Sequence, residues 1–178
     1  MELRAMAVRF PEVGGHPNRV AFEGVLTLVD VASDKAPSGA RGRRVILTRA
    51  AAAQALPSLL GMAVDYTPNW DGHDARMKCG LITEADIRGN QIVIAGFIYG
   101  RDFPEVQQVM AKADGGTMGM SYELADAHVA DMRASVWVLT KATFTGAAIL
   151  QREKAAYRST SFRLKTAAKK STGRVAVA

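Results

Sequence analysis

Residues 80–99 read GLITEADIRGNQIVIAGFIY. Two runs rich in apolar and β-branched residues, 81–87 and 91–99, flank Arg88, Gly89 and Asn90, and a glycine in so short a connection permits the positive φ of a tight hairpin turn. A β-hairpin is therefore expected here. Upstream, VAFEGVLTLVD (20–30) has the same strand character and runs into the polar stretch DKAPSGARGR (34–43), expected to be a mobile loop. RRVILT (43–48) predicts another strand. Thr48 is placed to cap a helix over RAAAAQAL (49–56), which Pro57 ends or kinks, with Leu56, Leu59 and Leu60 turned to the core.

Downstream of the hairpin, Asp102 and Pro104 announce a helix whose Val106, Val109, Met110 and Ala113 share one face, and Gly115 and Gly116 stop it. Three further strands are expected at MSYEL (120–124), ASVWVLT (134–140) and FTGAAIL (144–150), with the polar ADAHVADMR (125–133) before the second. Long antiparallel strands with few helices leave open edges unless the sheet curls on itself. The predicted class is α+β and sheet-dominated: a small closed or half-closed antiparallel β-barrel with two or three outer helices, an open α+β sandwich being the alternative.

With 178 residues, 48% hydrophobic and 22% charged, the chain suits one folded domain with a proper core. No apolar run approaches the roughly 18 residues that cross a bilayer, and the first residues lack a stretch of signal-peptide length, so a cytosolic protein without a membrane partner is expected. The single cysteine, Cys79, allows no internal disulfide and no multi-cysteine zinc site. The net charge of +6 comes from Arg152, Lys154, Arg158, Arg163, Lys165, Lys169, Lys170 and Arg174; the rest of the chain is nearly neutral. That crowding argues against a nucleic-acid partner. A nucleic-acid-binding barrel stays as an alternative only through Phe97, Tyr99, Trp137 and Phe144, aromatic residues on strands that are more simply read as core. Beyond Tyr157 small and basic residues prevail, and residues 158–178 are expected to form a disordered tail or linker behind a domain of residues 1–157.

A serine nucleophile needs a histidine to take its proton and N–H donors for the developing oxyanion. Of three histidines, His16 lies in the loop GGHPN and reads as solvated, and His128 reads as a turn residue. His73 lies in DYTPNWDGHDARMKCG (65–80), a polar loop leading into the hairpin, where rigid scaffolds present chemistry. Ser121 follows Gly119 and Met120 at the start of a strand, where the backbone can approach a substrate closely. Asp65, Asp71, His73 and Asp74 form an alternative set of divalent-cation ligands, but without a second histidine at helical spacing, so no metal is expected. A Cys79–His73 thiol dyad is disfavoured by their closeness in one loop-to-strand segment.

In order and spacing, the His73 loop, the LITEADIRGNQIVIAGFIY hairpin, the helix after DFPEV, the GMSYEL strand and the segment ending FTGAAILQREKAAY resemble the prohead maturation proteases of tailed bacteriophages, a superfamily related to herpesvirus assemblin. The resemblance runs from about Asn18 to Tyr157. It implies an assemblin-like barrel, a serine endopeptidase with Ser121 as nucleophile and His73 as base, and an oxyanion held by backbone amides around Gly119 and Met120 or a neighbouring loop. No cofactor is implied. The family's third, orienting side chain falls on Gly146, which cannot supply one, so Asp126, His128, Asp131 or Glu123 is expected to substitute, or the pair acts as a dyad. The implied substrates are scaffolding protein, the major capsid protein's N-terminal segment and the protease itself, inside an assembling prohead in the host cytoplasm. A homo-oligomer is left open. The alternative is a catalytically inactive, protease-like scaffolding protein on the same fold.

Overall fold

The hairpin forms as expected: β5 (Gly80–Arg88) pairs antiparallel with β6 (Gln91–Tyr99), and Gly89 takes φ 58° in the turn. The computed structural model describes residues 6–7, 16–112 and 117–165. On the far side of β6 lies β2 (Arg19–Leu28), also antiparallel, and the two sheet neighbours of β6 come so near Gly96 that a Cβ there would overlap the carbonyl oxygen of Leu81 and stand 2.9 Å from the Phe22 ring. A two-residue strand, β1 (Met6–Ala7), joins the outer edge of β5.

The second half of the sheet is organised by β8 (Val136–Gln151), a 16-residue strand that carries β7 (Met118–Val129) along one edge. On its other edge sit, one after the other, β3 (Arg44–Leu47) and β4 (Ala63–Asp65), both parallel to β8. The connection between them is α1 (Arg49–Ala55), capped by Thr48 Oγ1, which accepts from the Ala51 amide at 3.2 Å, followed by a 3-10 turn over Leu56–Leu59 that contains Pro57. Since β4 also pairs with β5, all nine strands make one mixed sheet. The sheet is thus not wholly antiparallel as expected, because a helical crossover from β3 to β4 returns the chain in the same direction. It curls until β7 packs over β2, which makes the barrel half-closed around a core of Phe22, Leu26, Ile82, Ile98, Met120 and Ile149.

Two expectations are corrected. ASVWVLT and FTGAAIL are not two strands but one, since the alternation of buried and exposed positions carries on through Lys141–Thr143 with only local irregularities. The ordered chain also does not stop at Tyr157: β9 (Ser161–Leu164) pairs with β2, and fully buried Phe162 meets the Phe22 ring at 5.1 Å. One apolar side chain with a core partner is enough to dock so short a segment, whatever its basic neighbours. The rest of the expected tail, like Ala113, Gly115 and Gly116, lies outside the described residues. The second helix, α2 (Pro104–Lys112), buries Val106 and half-buries Val109 and Met110. Phe97, Trp137 and Phe144 are core side chains, which removes three of the four aromatics on which a nucleic-acid platform rested. No helix among the described residues is long and apolar enough to cross a membrane.

Candidate active site

Three adjacent strands set the geometry. Asp65 on β4 lies opposite Ala148 on β8, and Ala148 lies opposite Ser121 on β7. Residues in register share one face of a sheet. The row Asp65, Ala148, Ser121 therefore lies on the outer face, while Val64, Ala147 and Met120 next to it serve the core. Two strand spacings root Asp65 and Ser121 roughly 10 Å apart, and the small, fully buried Ala148 between them leaves room for chain packed above it.

Into that space comes the loop of residues 66–79. Its hold on the fold is extensive. The Tyr66 ring stacks on Trp70 with centroids 4.6 Å apart, and the Tyr66 hydroxyl donates to Glu105 in the first turn of α2. The Trp70 carbonyl accepts from the Gln151 amide at 2.8 Å, tying the loop to the end of β8. Thr67 Oγ1 donates to Asp71 at 2.6 Å, and the Arg76 guanidinium and amide both bind the Asp74 carboxylate. Those hydrogen bonds hold the Asp74 carboxyl down at about 2. Where the loop rejoins the sheet, the Cys79 amide donates to the Val64 carbonyl at 2.8 Å, and burial pushes the Cys79 thiol up to about 12.

His73 sits at the middle of this loop with only 16% of its side chain exposed, Nδ1 being 3.4 Å from Asp65 Oδ1. At that separation the two form a close polar contact rather than a well-formed hydrogen bond. Both ring nitrogens of His73, and Asp65 Oδ1, are shielded from solvent and have no hydrogen-bond partner among the described residues. His73 and half-buried Ser121 line the same groove, with a volume of about 990 Å³, along with Asp71, Glu123, Lys35 and Lys154.

The other expected site residues fare differently. Glu123 lines the groove, and its Oε2 stands 2.6 Å from the point where a Cβ on Gly146 would be, so its carboxylate fills the space that glycine leaves. Asp126, His128 and Asp131 are not brought to the site. Asp126 is exposed in an irregular stretch of β7 with φ 51°, and Asp131 accepts from the Arg133 amide in the turn beyond. His128 pairs with Lys141, roughly 20 Å along the strand from Ser121 at about 3.3 Å per residue. Met120 is corrected as an oxyanion donor: its amide donates to Thr160 Oγ1 at 3.1 Å, and the residue is buried. Glycine at 119 has a packing reason, since a Cβ there would stand 2.7 Å from Thr160 Oγ1 and 3.1 Å from Arg152 Cα. The cation-binding alternative loses its ligands to other partners, Asp71 to Thr67 and Asp74 to Arg76, and no group of three or more His, Cys, Asp or Glu gathers among the described residues. His16 stays in its own loop, its Nδ1 accepting from the Asn18 amide.

Neither a protein-family model nor a curated protein matches the sequence. Among solved structures, KSHV protease in complex with a hexapeptide phosphonate inhibitor matches with a TM-score of 0.50 at 12% identity, over 83% of this chain and 66% of that one. The fold is assemblin-like. The chain spans just under two thirds of the length of its herpesvirus neighbour, and at such low identity the likeness speaks for the barrel alone. Asp65, 3.4 Å from His73, is the neighbour that sequence reasoning did not place beside the histidine. It stood out only as a cation ligand, because a three-residue strand paired in parallel with a segment some eighty residues further on has no local signature.

Proposed function

We propose that the chain is a serine endopeptidase of the prohead-protease type, cutting scaffolding and capsid protein segments, and itself, during capsid assembly. The observation that carries this reading is that Ser121 and His73 line one groove of an assemblin-like barrel. His73 takes the Ser121 proton through Nε2 as Oγ attacks a peptide carbonyl. The same proton then leaves with the amine, and water repeats the sequence on the acyl-enzyme. The groove has a volume of about 990 Å³, and a hexapeptide phosphonate is bound by the herpesvirus neighbour. The test is labelling by a peptidyl phosphonate. A single adduct on Ser121, lost in Ser121→Ala and strongly slowed in His73→Ala, is expected, together with loss of scaffold processing on co-expression of Ser121→Ala. Labelling that survives Ser121→Ala removes the reading.

A second reading, an inactive protease-like assembly component, draws on Gly146, where no side chain is present to orient the histidine. Under it neither labelling nor processing is seen, and Ser121→Ala assembles as the wild type does.

A further inference from the structure

We infer that Asp65 is the positioning residue for His73, supplying from β4 the carboxylate that Gly146 on β8 cannot. The inference rests on the peptidase reading of the groove. Three observations carry it. Asp65 Oδ1 is 3.4 Å from His73 Nδ1; both atoms are shielded and have no other partner among the described residues; and Asp65 lies in one row with Ser121 across Ala148. A buried carboxylate oxygen without a donor is costly, and the imidazole N–H is the donor that relieves it. Glu123, the competing carboxylate, is exposed and spends its reach on the space over Gly146.

The consequence is a fixed tautomer. With its Nδ1–H directed to Asp65, neutral His73 presents the Nε2 lone pair to Ser121. The Ser121 proton moves to Nε2 while the Oγ–C bond forms and the carbonyl π pair moves to oxygen. The imidazolium that results faces the Asp65 charge, and Asp65 itself takes no proton. The other charged groups of the groove are Lys35, Arg41, Asp71, Glu123 and Lys154, of which Asp71 is bound to Thr67.

The test uses the full chain with isotope-labelled histidine. Wild-type His73 in its neutral form is expected to carry its proton on Nδ1, read from the ring nitrogen shifts; a proton on Nε2 overturns the inference, with or without turnover. In Asp65→Asn, kcat on a peptide substrate falls by about 10²- to 10⁴-fold with little change in KM. Asp65→Glu restores part of kcat. A kcat that stays unchanged in Asp65→Asn but falls in Glu123→Gln assigns the role to Glu123 and overturns the proposal. Failure of the underlying reading shows separately, as full turnover in Ser121→Ala, and the wild-type tautomer decides the matter for Asp65 if Asp65→Asn does not fold.

Discussion

Cys79 lies close in sequence to His73, yet its thiol is fully buried, faces the Val64 carbonyl at 3.4 Å and is pushed up to about 12. A thiolate is the reactive form. Iodoacetamide at pH 8 is therefore expected to leave the folded chain unlabelled over a time in which a denatured control reacts fully; equal rates refute that placement. Asp74 offers a second check. Its folded carboxyl at about 2 lies below its ordinary value of 3.8, so what the Arg76 contact contributes is complete above about pH 4 and lost as the pH falls through 2. Carboxyl NMR titration should give that low midpoint, and Arg76→Ala should bring it back to the ordinary range. At this scale the shared groove of Ser121 and His73 was legible because the chain has only three histidines, and glycines and a polar loop mark the surroundings. Asp65 was not legible as their companion, since what gives it meaning is a register with Ala148 that only the folded sheet contains.

The hairpin of β5 and β6 was legible because its pairing is local and its turn chemistry is written in Gly89 and Asn90. Gly96 inside it was less so. Its lack of a side chain serves close packing against Leu81 and Phe22, and Gly96→Ala is expected to lower stability by several kcal/mol, as overpacking against rigid backbone does. Chemical denaturation measures this, and a change under about 0.5 kcal/mol would mean the strands can separate there. β4 and β9 escaped the sequence for one reason: each is a few residues long, and each takes its identity from a distant partner, β8 or β2. The break predicted inside β8 failed for the converse reason, because polar residues on an outward face do not interrupt a strand.

Across the whole molecule, the last described strand closes the half-barrel. Phe162→Ala is expected to cost about 3–5 kcal/mol, the usual penalty for emptying a fully buried aromatic site, with the loss of melting temperature as the measure; an unchanged melt would place β9 outside the cooperative fold. The barrel class was legible from the number of strands and the scarcity of helices, whereas the mixed direction of the sheet was not, since a crossover and a hairpin differ by where the chain returns. β8 has a further consequence. It is the common neighbour of the strands bearing Asp65 and Ser121, and it anchors the Trp70 carbonyl, yet it follows all of them in the chain. A ribosome that has released residues 1–130 has therefore made Ser121 and His73 without the strand that organises their surroundings. On the peptidase reading, hydrolytic competence must await the emergence of residues 136–151, and a growing polypeptide is protected from its own activity until then.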